Sequence, residues 1–152
     1  RKRNNDIYGL IIGDGSLRED FEKLVDSKGI SNFIKFAGNC KQEWIANILP
    51  HSSLILSPHM GRALTEAALS GIPIVGYDYD WQREVIINNK TGYLVDHEDW
   101  LAMANAAEDL LNNKIKSKEL GKNARKHIVK MMSPDILNSH EKKYYDTLLS
   151  NT

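Results

Sequence analysis

An α/β fold, a parallel sheet flanked by helices and continued by a helical tail, is predicted by three observations. Short apolar runs of strand length alternate with amphipathic segments along the front of the chain. Turns rich in Gly and Pro separate them. The runs are apolar throughout rather than alternating, as expected of strands covered on both faces, and parallel sheets with right-handed crossover helices bury their strands in that way. Composition agrees. A chain of 152 residues, 41% hydrophobic and 26% charged, suits one soluble globular unit and excludes wholesale disorder. Twenty Lys+Arg balance 20 Asp+Glu, so no global charge attracts nucleic acid. Cys40 is the single cysteine, which excludes an intramolecular disulfide framework and fits a cytoplasmic thiol. No apolar run approaches the ~18 residues of a spanning helix, and the opening RKRNNDIYG holds no signal core.

The elements follow in order. Tyr8–Ile12 reads as a buried strand, followed by the turn Gly13-Asp14-Gly15. A helix is predicted over Leu17–Ser27, with Ser16 as N-cap, Glu19 at capping-box spacing, and Phe21, Leu24 and Val25 on its apolar side. Lys28-Gly29 ends it. Phe33–Ala37 is the second strand, and Gln42–Leu49 a short helix stopped by Pro50. Leu54–Ser57 is a strand cut off at Pro58. Arg62–Leu69 is a helix ending at Gly71, Ile74–Tyr77 a fourth strand and Gly92–Val95 a fifth. The remainder reads as helical. Trp100, Leu101, Met103, Ala104, Ala107, Leu110 and Leu111 form an apolar stripe, broken by Asn112-Asn113. A basic helix carries seven cations, Lys114, Lys116, Lys118, Lys122, Arg125, Lys126 and Lys130, over a side made of Leu120, Ile128 and Val129. The last helix opens with Ser133 as N-cap and Pro134 at its first position. Because RKRNND brings no element of its own before the first strand, a preceding strand and helix are expected to be missing.

Chemistry concentrates in residues 57–75, SPHMGRALTEAALSGIPIV. A strand ends at a Pro, a glycine turn follows, and a helix starts near Gly61. Ligands of open parallel sheets bind at the carboxyl ends of the strands. The N–H groups and positive dipole end of that helix suit a phosphate, and Gly61 lets backbone approach it closely. Glu66, one turn in, is placed to accept hydrogen bonds from a ribose diol; the plainer alternative is a solvated helical carboxylate behind a turn glycine. Arg62 could add charge-assisted bonds to phosphate or lie free on the surface. His59 could bond a sugar hydroxyl or be a partly exposed loop residue. Gly13 borders the same kind of strand end, but Arg18 stands where a dinucleotide fingerprint needs its third glycine, which argues against NAD. Asp14 reads as a turn residue. Cys40 has no supporting His signature and reads as a buried thiol. Asp78 and Asp80 lack a third ligand and read as turn and cap residues rather than a metal site. Trp81 reads as core.

Taken together, IIGDGSLRE, FIKFAG, the segment 57–75 and NNKTGYLV resemble, in order and spacing, the nucleotide-binding C-terminal domain of retaining GT-B glycosyltransferases of family 4, the glycosyl transferases group 1. That family follows a strand with Gly-Asp-Gly-Pro. It then carries a Glu-x7-Glu motif leading into Glu-Ala-x-x-x-Gly-x-Pro-Val-Val. The resemblance covers about Tyr8 to Val95, with the helical tail also familiar, and implies a Rossmann-like half of a GT-B fold.

Several roles are implied by the resemblance. Glu66 matches the second Glu of the motif, which holds the ribose hydroxyls of a sugar nucleotide. Gly61 matches a loop glycine. His59, Met60, Arg62 and Ala63 complete the loop whose amides meet the diphosphate and donor sugar, while Leu64 and Thr65 begin the helix aimed at the phosphates. Glu84 matches a Glu that follows a short Gly-rich turn, and the neighbourhood of Cys40 packs on the nucleobase. The first Glu of the motif falls on Pro58, a departure that touches donor choice and activity. The implied activity is transfer of a sugar from a UDP-, GDP- or ADP-sugar, with retention, to a glycan or lipid-linked acceptor held by a preceding domain. No further cofactor or metal is required. That domain, its catalytic His, and the Arg and Lys that clamp the diphosphate are expected to be absent, since Arg1, Lys2 and Arg3 match no such context. This chain alone is expected to bind nucleotide weakly and not to turn over. The implied location is cytoplasmic, with peripheral contact of the basic helix at the inner face of a membrane. Two alternatives are a GT-B-like sugar-nucleotide epimerase and a non-catalytic binding module.

Overall fold

Five short parallel strands carry the architecture of the computed structural model, which describes residues 7–59 and 61–150. β1 (Gly9–Ile12) pairs in parallel with β2 (Ile34–Gly38), and between them runs α1 (Arg18–Ser27). After α2 (Gln42–Ile48) and a 3-10 turn over Leu49–His51, the chain enters β3 (Ile55–Ser57), α3 (Arg62–Ser70), β4 (Ile74–Tyr77), the short α4 (Gln82–Val85) and β5 (Tyr93–Val95). β4 is the middle strand of a parallel sheet ordered β3-β4-β5. The tail is α5 (Trp100–Asn112), α6 (Lys114–Met131) and α7 (Pro134–Ser150). Arg1, Lys2, Arg3 and Met60 lie outside the described residues.

The α/β class and the order of the five strands stand as read from the sequence, and the short α4 is an addition to that reading. The ladders form two groups, and contacts divide the chain into two compact units, residues 1–45 and 46–152. In the second unit, Leu64, Ala67 and Ala68 of α3 pack with Ile74, Val85, Ile86, Ala124 and Ile128, and Trp81 lies half-buried against them as expected. On a second cluster, Val75 meets Met103, Leu110 and Leu120. In the first unit, α1 buries no residue, and Phe21 and Leu24 remain half exposed.

Local chemistry explains most boundaries and several corrections. Gly71 closes α3 in the left-handed region at φ 75°, and Gly29 turns the chain after α1 at φ 63°. Ser16 does not cap α1. The helix starts one residue later, after Leu17, with no side-chain cap, and the Arg18 N–H donates to Gly15 O at 3.1 Å. Asp14 competes for the role, because its carboxylate takes the Gly15 N–H at 2.9 Å and pairs with Arg18 at 2.8 Å. The apolar stripe of α5 buries only Met103 and Leu110, with Trp100 and Leu101 exposed. Val129 is likewise exposed, whereas Leu120 and Ile128 are buried as expected. Two caps were not read from the sequence: Asp99 accepts the Ala102 N–H at 2.8 Å, and Asn113 the Lys116 N–H at 3.1 Å.

Candidate functional site

The carboxyl end of β3 delivers the chain through Pro58 and His59 to Gly61, which sits at φ 122°, ψ −167°. Only glycine reaches that region comfortably. A Cβ there would touch nothing within 4 Å, so backbone conformation rather than crowding requires the glycine. From it α3 begins, and the Leu64 N–H folds back to Gly61 O at 3.1 Å. The first-turn N–H groups of such a helix have no intrahelical partner and face whatever occupies the strand end.

The side chains sort themselves around that turn. Glu66 lies one turn into α3, and its side chain is only 20% exposed. Its Oε1 accepts a hydrogen bond from Arg62 Nε at 2.9 Å. The two groups singled out separately in the sequence are therefore partners, at the i,i+4 spacing that brings helix neighbours together. Arg62 itself is 78% exposed, which keeps its guanidinium at the rim. Thr65 turns its hydroxyl back to Arg62 O at 2.8 Å. Ala63 is exposed, and His59 is an exposed loop residue whose carbonyl oxygen accepts the Ser57 hydroxyl at 3.0 Å. Leu64 is fully buried in the core, so its side chain cannot face a ligand.

Beside this turn, β4 and β5 end in an aromatic group. Tyr79 stacks on His97 at 4.3 Å between centroids, and Tyr77 meets the same His97 edge-on at 5.6 Å. Asp78 pairs with Arg83 at 2.9 Å, and Asp80 occupies φ 51°. Among the described residues, no group of three or more His, Cys, Asp or Glu side chains is arranged to hold a metal ion. Glu84 is exposed, and its carbonyl oxygen lies 2.7 Å from His127 Nε2. Gln82 is buried at 1% exposure and donates from Nε2 to Ser57 O at 3.0 Å. A concavity of about 440 Å³, lined by residues such as Lys90, Lys116 and Asn123, involves the loop before β5. That is the amino end of the strand, the wrong end for a ligand of a parallel sheet.

In the first unit, Gly13 stands at φ 125° with its N–H on Gly38 O at 2.8 Å. Arg18 bridges Asp14 and Glu22, at 2.8 and 2.9 Å. The hydrogen bond from Arg18 and the one from the Gly15 N–H hold the Asp14 carboxyl below its ordinary value. Asp14 thus acts as the turn residue expected. Cys40 is half-buried, its thiol near Ala37 O and Gly38 O at 3.8 and 3.7 Å.

Residues 1–127 match the family described as Glycosyl transferases group 1. This chain belongs to that family. It is 31% identical to N-acetyl-alpha-D-glucosaminyl L-malate synthase of Bacillus anthracis over 91% of this chain and 37% of that protein. It is 26% identical to 2-deoxystreptamine N-acetyl-D-glucosaminyltransferase of Niallia circulans over 85% of this chain and 34% of that one. The chain spans about a third of the length of these curated relatives. Among solved structures, Anabaena Alr3699/HepE in complex with UDP superposes with a TM-score of 0.83 over 95% of this chain and 42% of that one, at 18% identity, a likeness of fold. A variant of Staphylococcus aureus TarM in complex with fondaparinux, alpha-GlcNAc-glycerol and UDP gives 0.81 over 93% of this chain and 29% of that one, at 25% identity. The structural neighbours are GT-B glycosyltransferases, so the fold resemblance read from the motifs holds.

Within this glycosyltransferase domain, the structure gathers His59, Gly61, Arg62, Ala63 and Glu66 at one strand end and places Gly13 in the other unit. The sequence reading did not single out Gln82 or Ser57, which meet beside this turn. A buried Gln has no periodic or spacing signature. Ser57 could have been suspected as a hydroxyl directly before the Pro-His-x-Gly turn.

The basic helix is less free than its composition suggests. Lys116 lies over the Tyr93 ring at 4.8 Å and pairs with Asp109 at 3.7 Å, and Arg125 Nη1 donates to Leu69 O at 2.7 Å. These cations serve the fold. Among the described residues, no helix is long and apolar enough to cross a membrane.

Proposed function

We propose that this chain is the donor-binding part of a protein that transfers a sugar from a nucleoside diphosphate sugar to an acceptor, with retention at the anomeric carbon. The observation that carries the reading is Glu66. It is a largely buried carboxylate one turn inside α3, at the carboxyl end of β3, in a chain of this family. In the proposed site, Glu66 accepts hydrogen bonds from the ribose diol, and the backbone of His59 and Gly61 and the first turn of α3 face the diphosphate. His59 and Arg62 lie at the rim, where Arg62 can exchange its bond to Glu66 for one to phosphate. As the bond between sugar and diphosphate breaks through an oxocarbenium-like state, charge develops on the departing phosphate. Fixed amide dipoles stabilise it in the manner of an oxyanion hole.

Related structures solved with UDP, or with UDP-glucose in the case of Anabaena HepE, support a nucleotide sugar as the donor. They leave base and sugar to experiment. The acceptor, a glycan or a lipid-linked saccharide, would be held by a part of the whole protein beyond this domain, since relatives are about three times as long. Pro58, in place of the first Glu of the motif, favours a second reading in which nucleotide binds without transfer.

Ligand-observed NMR of the chain with UDP, GDP, ADP, CMP and NAD at millimolar concentration tests the site. A nucleoside diphosphate should bind and name the base. Glu66→Ala should weaken it about tenfold or more, the usual loss when hydrogen bonds to a charged group are removed. Binding unchanged by Glu66→Ala, or no binding by the folded chain, would overturn the proposed site. Assays of a longer protein, with glycoside against free sugar isomer as product, separate transfer from epimerisation and from binding alone.

A further inference from the structure

We infer that Gln82 is a positioning residue for the end of β3 and for Pro58 and His59, which lead from it toward Gly61; the inference rests on reading that loop as the diphosphate-facing segment. Gln82 opens α4, beyond the end of β4, and is 1% exposed. Its Nε2 crosses 25 positions of sequence to donate to Ser57 O at 3.0 Å. Ser57, 7% exposed, in turn donates its hydroxyl to His59 O at 3.0 Å. Two hydrogen bonds in series therefore run from α4 to His59, the first buried, where such bonds are least weakened, and the second part-buried.

Two further observations show that the amide is there for the loop. β4 carries a glycine, Gly76, in its interior, a position where glycine weakens a strand. A Cβ on Gly76 would stand 2.8 Å from Ile86 Cδ1, 3.2 Å from Ser57 O and 3.6 Å from Gln82 Nε2, so the glycine leaves room both for the Ile86 side chain and for that bond. Secondly, Gln82 Oε1 is buried without a hydrogen-bond partner among the described residues. An orphaned buried acceptor destabilises a fold, and an apolar side chain of similar shape would pack there at lower cost. Packing does not require an amide at position 82; holding Ser57 O does. A loop held in advance loses less conformational freedom when its amides close on an anion.

The test compares the chain with Gln82→Met, which keeps the shape and removes the amide, and with Ser57→Ala, which breaks only the second bond. Backbone NMR of the ligand-free chains reads the loop directly. The His59 and Gly61 amides should shift and exchange faster with solvent in both variants. The dissociation constant for UDP should rise about fivefold in each, the scale of one hydrogen bond. The melting temperature of Gln82→Met should change little, because the orphaned Oε1 goes with the amide while Ser57 O loses its donor. A merely structural Gln82 would leave the His59 and Gly61 amides and UDP affinity unmoved, whatever the melting temperature, and would overturn the inference. If the parent chain binds no UDP while the loop amides still respond to both variants, the positioning stands and the donor-site reading fails. If those amides do not respond, the inference fails whatever the nucleotide does.

Discussion

In β1-α1-β2, the apolar residues Leu10, Ile11, Phe21 and Leu24 remain 42% to 51% exposed, whereas in β3-α3-β4 their counterparts Leu64, Ala68, Ile74 and Val75 are at 0%. Both stretches follow the same local recipe of apolar strand, glycine turn, amphipathic helix and parallel strand. The difference lies in what surrounds them. β4 has a neighbour on each edge, and α3 has α6 behind it, bringing Ala124 and Ile128 into the same cluster. The first unit has a two-stranded ladder, and α1 between its strands buries no residue. An amphipathic pattern proposes a face to bury; burial follows only where a second and a third layer cover it.

The contrast can be broken most directly in the cores. Leu110→Ala, at a side chain 1% exposed, should lower unfolding stability by about 2–5 kcal/mol, read by denaturant titration. Phe21→Ala, at 48% exposure, should cost about 1 kcal/mol or less, since roughly half its surface already meets water. Equal losses would show that the first unit buries Phe21 in solution, and the contrast would fall.

Glycine replacement sharpens the comparison at smaller scale. A Cβ on Gly121 of α6 would overlap the carbonyl oxygen of Gly71, so Gly121→Ala must push α3 and α6 apart. That should cost about 1–3 kcal/mol. Gly15, in the turn of the first unit, has nothing within 4 Å of such a Cβ, and Gly15→Ala should stay within about 0.5 kcal/mol. Thermal unfolding of the two variants checks this.

The smallest effects are in titration. Burial, and then the hydrogen bond to Asp109 at 2.6 Å, push the Tyr93 hydroxyl above its ordinary value. A raised folded-state value stabilises below the ordinary tyrosine range and is lost as pH rises through the folded value. Tyrosinate absorbance should therefore show one late-titrating group, absent in Tyr93→Phe. Asp14 in the first unit has the opposite sign. Its lowered value stabilises above the ordinary aspartate range, and the contribution is lost as pH falls through the folded value. Because the Asp14 and Arg18 side chains are 39% and 35% exposed, the effect is small. Carboxyl NMR of Arg18→Ala should return Asp14 toward its ordinary value.

Legibility varied by element and by residue. The strands over 9–12 and 74–77, the helix stop at Gly71 and the helix start at Pro134 all rest on signals within a few residues, and each was readable. Ser16 failed as a cap because Asp14, two residues earlier, organised the turn first. Trp100 and Val129 fit an apolar pattern but remain 73% and 50% exposed. At the candidate site, Gly61 and Glu66 were readable from spacing, and the Arg62–Glu66 bond follows from the same i,i+4 geometry. Gln82 was not, since its partner Ser57 is 25 residues away.

The sequence by itself determined the α/β class, the order of the five strands and the turn that opens α3, because propensity, glycine conformation and motif spacing act over a few residues. Tertiary structure alone decided which apolar faces became core, which cations of α6 were spent on Tyr93, Asp109 and Leu69, and which side chain holds the loop before α3. Those outcomes depend on distances between residues far apart in the chain, which local pattern does not encode.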